Sequence, residues 1–429
     1  MRIGIDCRTI LNPHSGERAG IGHYTYYLVK KLLKIDRENE YVLFFDSRFK
    51  GAQEFEQENV KIKFFPFYQY KEYLPVLYSQ ILVTGFIDRE KLDLFHAPAN
   101  TIPFFYKKPA VVTVHDLAIY KYPEFFPKKF LSRQIFSTKV LVPKSLEAAK
   151  KIIAVSKNTK KDIIEEFAIP EEKISVIYEG VLPPEPTTEE KWQTIKEKFG
   201  VKDKYILFLG TIEPRKNIVG LVKAFRNLYL RYDSPIKDYQ LVIAGAIGWQ
   251  SESIFEAVSE ANAAILSKEI RRSGKERRSG LDARSEEKRK AEGERRLNSD
   301  RRQNMPVKHL GYVSHEEKNA LLRHAFCFAF PSVYEGFGLP VLEAMSFGVP
   351  VITSSVSSLP EVVGEHGAIL VDPSKESELV GALEQMATDE GLREELRLKG
   401  LARSQELSWK HCAAATLEIY REAAGLKNE

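Results

Sequence analysis

Residues 330–348 run FPSVYEGFGLPVLEAMSFG. The apolar run at 325–330 predicts a buried strand, ended by Pro331 and Ser332. A glycine-bearing turn follows, Glu335-Gly336-Phe337-Gly338-Leu339-Pro340, and residues 341–347 predict a helix. Two carboxylates, Glu335 and Glu343, bracket the turn with seven residues between them. A strand that passes through a glycine-rich turn into a helix N-terminus points unpaired backbone N–H groups outward, and such groups bind anions. Glycine also lets the backbone approach a ligand closely. The stretch therefore predicts an anion site in an α/β domain.

The rest of the chain repeats the same βα rhythm. Short apolar runs predict strands at 2–7, 41–46, 60–65, 92–97, 110–115, 151–156 and 174–178. Amphipathic stretches predict helices at 23–34, 130–149 and 158–167, the last capped by Ser156 or Asn158. Residues 180–190, GVLPPEPTTEE, hold three prolines and no apolar pattern, and read as a linker. Beyond it the rhythm restarts, with strands at 205–210, 240–244, 307–311, 325–330, 350–353 and 368–371. Helices are predicted at 218–230, 254–267, 315–324, 377–388, 390–404 and 409–424. Two Rossmann-like α/β halves follow, 1–182 and 183–408. The loop at 11–22 carries Gly16, Gly20 and Gly22 but no GxGxxG, so a dinucleotide site is not supported.

A chain of 429 residues with 43% hydrophobic residues fits two globular domains. Cys7, Cys327 and Cys412 lie far apart, with no metal-ligand spacing and no disulfide framework. The net charge of +5 is concentrated, because residues 267–302 hold 14 Lys+Arg against 8 Asp+Glu, leaving 50 against 51 elsewhere. The body is thus nearly neutral, and the absence of stacking aromatics in the basic segment argues against nucleic-acid binding. Residues 268–304 contain almost no apolar side chains and predict a solvated, disordered insertion. It reads first as an inert charged loop and second as a basic arm for anionic lipid or an acidic polymer. No signal peptide is visible at the N-terminus, and the longest apolar stretch, 73–87, is too short to span a bilayer. The expected location is the cytoplasm, with peripheral contact at the inner membrane face. The aromatic run at 64–78, FFPFYQYKEYLPVLY, reads as core packing or as an acceptor or lipid surface. The basic residues at 128–151 read as a solvated face or one resting on anionic lipid.

Several motifs together resemble one family. They are ILFLGTIEPRKN at 206–217, the run from Phe330 to Gly364, and LVDP at 370–373. The first half adds DCR at 6–8, AGIGHYTYYL at 19–28, TVHDL at 113–117, and AVS at 154–156 with Asp162-Ile163 downstream. The closing LSWKHCAAATLEIY at 407–420 is similar to the family's last helix. The chain resembles the retaining group-1 glycosyltransferases of the GT-B fold, mannosyltransferase-type members above all. That resemblance implies two Rossmann-like domains facing across a cleft, with the donor held by the C-terminal one and the acceptor by the N-terminal one. It also implies that the helix at 409–424 crosses back to the N-terminal domain.

The implied reaction moves a hexose, with mannose favoured, from a nucleotide diphosphate sugar to a hydroxyl of a glycan or lipid-linked acceptor. The anomeric configuration is kept. No metal-ligand cluster is visible, so Arg215 and Lys216, at the carboxyl end of a strand, are the candidates to neutralise the diphosphate. Gly336, Phe337, Gly338 and Leu339 would add backbone N–H groups, and Gly22 belongs to a second loop that could close on the diphosphate or the acceptor. By resemblance Glu335 attends the sugar near the anomeric carbon and Glu343 holds the ribose hydroxyls. His115 would meet developing charge through its ring or its backbone carbonyl, with Asp116 orienting it. Tyr312 and Val313 would contact the base. His96 carries no motif and reads as structural. The resemblance implies no cofactor and no metal beyond the sugar nucleotide, GDP-mannose being favoured over UDP-sugars. Three positions depart from the family pattern: Ala19 for a glycine, Thr211 for an arginine, and Glu179-Gly180 for Asn-Gly. Other readings are a sucrose- or trehalose-type synthase, an epimerase, or a non-catalytic nucleotide-sugar scaffold.

Overall fold

The computed structural model describes residues 1–11, 20–65, 76–277 and 305–426. They form two units. The first comprises Met1–Leu182, Glu335–Leu339 and Glu406–Glu429, and the second Pro183–Tyr334 and Pro340–Gln405.

The first unit holds strands β1 (Arg2–Asp6), β2 (Glu40–Asp46), β3 (Val60–Phe65), β4 (Leu94–Ala97), β5 (Ala110–Val114), β6 (Lys151–Ala154) and β7 (Ile174–Val176). They pair in parallel in the order β3-β2-β1-β4-β5-β6-β7. The second unit holds β8 (Tyr205–Leu209), β9 (Gln240–Ala244), β10 (Val307–Gly311), β11 (Cys327–Phe330), β12 (Val351–Ser354) and β13 (Ile369–Val371), in the order β10-β9-β8-β11-β12-β13. Helices cover both faces of a parallel sheet, so its central strands are apolar throughout rather than alternating. Every residue of β5, β8, β9 and β11 is buried accordingly.

Strand order reverses once in each sheet, between β1 and β4 and between β8 and β11. Connections after such a pair run to opposite faces, which opens a crevice at the carboxyl edge. The crevice of the second unit is therefore walled by the loops after β8 and β11. The first of them carries Arg215, and the second enters the crevice with residues 331–334.

The helices are α1 (Ile21–Ile35), α2 (Val76–Asp88), α3 (Ala118–Lys121), α4 (Lys128–Phe136), α5 (Val142–Ala148), α6 (Lys157–Phe167), α7 (Glu189–Phe199), α8 (Ile218–Tyr229) and α9 (Glu252–Arg277). They continue with α10 (His315–His324), α11 (Leu339–Ser346), α12 (Leu359–Val363), α13 (Glu376–Thr388), α14 (Glu390–Glu406) and α15 (Trp409–Ala423). Ser156, not Asn158, caps α6, accepting from the Thr159 N–H. In the first unit α15 sets Trp409 against Tyr27 of α1, ring centroids 5.7 Å apart, and the Val181 N–H bonds the Leu407 carbonyl. A Cβ on Gly180 would lie 2.0 Å from the Trp409 backbone nitrogen, so only glycine fits there.

Four expectations need correction. The single helix expected at 130–149 is interrupted by a π-helical turn, Ser137–Leu141, just before Pro143. Proline has no N–H to bond the carbonyl four residues back, and the ladder widens there. The linker at 180–190 runs into α7, which the sequence reading left out. Thr188 caps that helix, left-handed Gly200 ends it, and its Trp192 and Ile195 are buried. The helix after the glycine turn begins at Leu339 with Pro340 in its first turn, earlier than 341. Finally, α9 runs ten residues into the segment expected to be disordered from 268. Its Ile265 is fully buried, Lys268 bonds the Leu230 carbonyl, and the Tyr229 hydroxyl donates to Glu269 at 2.7 Å. The remainder of that segment, 278–304, and most of the aromatic run at 64–78 lie outside the described residues.

No described helix is long and apolar enough to cross a membrane.

Candidate active site

In the second unit, β8 ends at Leu209, and Gly210 follows with φ 156°. A Cβ on the neighbouring Gly245 would sit 1.9 Å from the Gly210 carbonyl oxygen, so the turns after β8 and β9 touch backbone to backbone. Pro214–Lys216 then forms a single 3-10 turn, and left-handed Asn217 opens α8. Arg215 Nε donates to Glu213 Oε1 at 2.5 Å, and its Nη1 donates to the Tyr334 carbonyl at 3.0 Å. The Arg215 carbonyl accepts from the Val333 N–H at 2.8 Å and from Ser332 Oγ at 3.1 Å. The loops after β8 and β11 are thus laced together at the strand reversal. Lys216 is buried, with Nζ 5.2 Å from the centre of the Phe330 ring.

Glu343 stands on α11 and forms an ion pair with Lys318 of α10, 2.5 Å apart. Both side chains are mostly buried. Tyr312 follows β10 at the edge of the sheet, half-exposed, with Val313 beside it. The preceding Gly311 has φ 75°, and its carbonyl accepts from the Gly245 N–H at 2.8 Å.

The turn Glu335–Leu339 belongs to the first unit. A Cβ on Gly336 would come within 1.7 Å of the His115 carbonyl oxygen, so this backbone contact needs glycine. Thr159 Oγ lies 3.2 Å from the Gly336 carbonyl oxygen and 3.4 Å from that of His115, and its one proton serves one of them. Phe337 is buried with its ring 6.0 Å from that of Tyr178. Gly338 has φ 117°, a conformation that favours glycine. Glu335 is only 7% exposed.

His115 follows β5. Its backbone N–H donates to Asn100 Oδ1 at 3.0 Å. Ring Nε2 lies 2.8 Å from the Pro98 carbonyl, and Nδ1 lies 3.1 Å from Glu179 Oε1. A carbonyl only accepts, so Nε2 donates to Pro98, and Nδ1 faces the Glu179 carboxylate. Both ring nitrogens are therefore held within the first unit. The expectation that Asp116 orients the ring is corrected: Asp116 Oδ1 accepts from the Ala118 N–H at 3.2 Å, as a turn cap, and Glu179 takes the ring. Gly22 lies inside the first turn of α1, buried, rather than in a free loop; Gly20, at φ 57°, starts the helix.

His96 sits fully buried on β4, with Nδ1 2.6 Å from the Tyr420 hydroxyl and Nε2 2.8 Å from Thr113 Oγ. Burial pushes its pKa down to about 3, so the ring is neutral and structural.

Sequence reasoning missed Glu179, Lys318, Glu213 and Thr159. Only Glu179 left a signal, as a departure from the family pattern. Removing it tests its role as a strut. Glu179→Ala is expected to cost about 1–3 kcal/mol of stability. Glu179→Gln, whose amide can donate to Nδ1, is expected to restore most of it in thermal unfolding. Equal losses in both variants would mean that the carboxylate does not hold the ring.

Among the described residues no group of three or more His, Cys, Asp and Glu side chains could hold a metal ion.

The comparisons agree with this geometry. Residues 190–403 match the family model "Glycosyl transferases group 1", and residues 18–183 match "Glycosyltransferase Family 4". The O-antigen chain mannosyltransferase B of Escherichia coli is 31% identical over 333 residues, 76% of this chain and 74% of that protein. A serotype-specific mannosyltransferase, WbdA, of the same organism is 26% identical over 328 residues, 75% of this chain but 34% of that protein. Among solved structures, Anabaena HepE in complex with UDP and glucose superposes with a TM-score of 0.64 at 17% identity, covering 98% of this chain and 100% of that one. Sucrose-phosphate synthase from Thermosynechococcus elongatus gives a TM-score of 0.66 at 18% identity, covering 98% of each chain. At such identities these structures speak for the fold alone. With two parallel sheets, laced loops at a strand reversal and these relatives, the chain belongs to the group 1 glycosyltransferases and has their GT-B fold.

Proposed function

We propose that the protein is a retaining mannosyltransferase that uses GDP-mannose to extend a glycan or lipid-linked acceptor. The observation that carries this reading is the 31% identity with the O-antigen chain mannosyltransferase over three quarters of the chain. In the step, the bond from the anomeric carbon to the diphosphate breaks and one to the acceptor oxygen forms on the same face. The hydroxyl proton leaves with the departing diphosphate.

The roles follow from the chemistry of each group. Arg215 and Lys216 meet the charge gathering on the diphosphate, aided by the helix dipole of α8. The backbone N–H groups of Gly336, Phe337, Gly338 and Leu339 bind the same anion, and the N-terminal turn of α1 at Gly22 offers further N–H groups. Glu335 faces the positive charge that develops at the anomeric carbon. Glu343, held by Lys318, accepts both ribose hydroxyls. Tyr312 and Val313 take the base. Both ring nitrogens of His115 are engaged and its backbone carbonyl lies against Gly336, so His115 serves the sugar by setting the glycine turn, and Asp116 caps the chain that follows it. Protein cations stand where other enzymes use a metal ion, so turnover should survive chelation with EDTA. The cytoplasm suits three buried free thiols.

The test is incubation of the full chain with GDP-mannose and a set of UDP- and GDP-sugars, with and without lipid-linked glycan acceptors. Release of free nucleoside diphosphate is measured. GDP release from GDP-mannose, raised by acceptor, is expected. No release from any donor would overturn the enzyme reading, and preference for a UDP-sugar would overturn the donor assignment.

A further inference from the structure

Two neighbouring strands of the first unit end in the same way. Asp6-Cys7-Arg8 closes β1 and Asp46-Ser47-Arg48 closes β2. In each, the aspartate is the last strand residue and the arginine turns back onto it. Arg8 donates to Asp6 Oδ1 from its backbone N–H at 3.1 Å and from Nε at 2.8 Å, and to Asp6 Oδ2 from Nη2 at 2.6 Å. Arg48 repeats all three bonds on Asp46, at 2.9, 2.9 and 3.2 Å. The two pairs meet. Arg8 reaches across β2 and lies 4.7 Å over the ring of Phe65, and Phe65 is the residue of β3 paired with Asp46. Burial works against the charge on Arg8, yet Asp6 and then Asp46 raise its pKa, so both carboxylates face it.

β1 borders the strand reversal of this sheet, so the pairs stand at the carboxyl edge, beside the crevice where such sheets hold ligands. What they present there is one-sided. The aspartates are 8% and 9% exposed and lie beneath, their oxygens accepting the bonds just described. The arginine side chains lie above them, 35% and 40% exposed, and Arg8 Nη1 takes no part in the bonds to Asp6. Arginine only donates. Two guanidiniums oriented beforehand by carboxylates form a receptor for a ligand that only accepts, with little entropy left to lose on binding. A sugar hydroxyl both donates and accepts and is poorly met by such a surface. A carboxylate offers two oxygens, which one guanidinium satisfies, whereas a phosphate has oxygens for both. Ion pairs with partners this exposed add little stability, so stability alone gives no reason to build the arrangement twice.

We propose that Arg8 and Arg48, oriented by Asp6 and Asp46, bind a phosphate group carried by the acceptor. That the phosphate belongs to the acceptor rests on the proposed transfer reaction.

The test is titration calorimetry on the full chain with saturating GDP, which fills the donor site. The probes are α-mannose 1-phosphate, hexyl phosphate, methyl α-mannoside and methyl α-glucuronide. The two phosphates are expected to bind and methyl α-mannoside is not. The tighter of the two names the carrier, a sugar or an alkyl chain. Arg8→Gln and Arg48→Gln are each expected to weaken that binding by roughly tenfold or more. Arg8→Gln leaves Asp6 bare, so the double variant Asp6→Asn with Arg8→Gln repeats the test without a stranded charge and is expected to bind as weakly. Phosphate binding that these variants leave unchanged, equal binding of methyl α-mannoside, or tighter binding of the glucuronide than of either phosphate would overturn the proposal. A parent chain that releases GDP from GDP-mannose but binds neither phosphate would also overturn it, and would leave the transfer reaction standing. Phosphate binding lost in the variants, with no nucleotide release from any donor, would keep the site and overturn the reaction.

Discussion

Glu335→Gln is expected to lower turnover by roughly 10²–10³-fold, the range seen when one group placed for the transition state is removed. The substitution keeps the shape of the side chain and deletes only its charge. Glu335 lies one residue past the lacing of the β8 and β11 loops and is 7% exposed, so its carboxylate acts with little water around it. A charge interaction in such surroundings is worth several times its value in solvent. The positive charge it faces exists mainly in the transition state, so kcat should fall while KM for the donor changes only a few-fold. The folded state should not suffer, since a buried neutral amide is easier to desolvate than a carboxylate. Nucleoside diphosphate release and a thermal melt measure the two sides. Turnover near that of the parent, with an unshifted melt, would remove Glu335 from the chemistry.

The second large effect falls on stability as well as rate. Arg215→Ala removes the guanidinium that neutralises Glu213, whose side chain is 2% exposed. It also removes the bond from Nη1 to the Tyr334 carbonyl at 3.0 Å. Breaking a buried pair from one side typically costs about 3–5 kcal/mol, because a bare charge stays behind. Arg215→Ala should therefore unfold at markedly lower temperature and also lose diphosphate release. In the double variant Glu213→Gln with Arg215→Ala, the stranded charge is gone, and most of the stability should return while activity does not. If activity returned with stability, Arg215 would only hold the loop and would not meet the donor.

Much of the fold was legible because parallel α/β sheets write themselves plainly. Buried strands such as YILFL at Tyr205–Leu209 are apolar at every position, and loops rich in Gly and Pro separate them from helices. Helix α7 escaped because three prolines drew attention to the linker just before its Thr188 cap. The ten-residue reach of α9 into the charged segment escaped because its anchors, Lys268 and Glu269, bond to the end of α8, far off in sequence. Of the candidate site, the residues named by local motif were readable. Their partners were not. Glu179 reaches His115 across 64 residues, Lys318 reaches Glu343 across 25, and Arg215 reaches the Tyr334 carbonyl across 119.

By itself the sequence determined the two sheets, the linker and the glycine turn with its paired glutamates, because each depends on residues close together in the chain. Strand periodicity, the missing Cβ of glycine and the missing N–H of proline act over a few residues. Only the tertiary structure decided where strand order reverses and which two loops wall the second unit's crevice. It alone gave His115 to Glu179 rather than to Asp116, and laid Arg8 over Phe65 at the end of β3. Those outcomes depend on which strand lies beside which, and pairing across a sheet brings together residues whose separation along the chain carries no local signal.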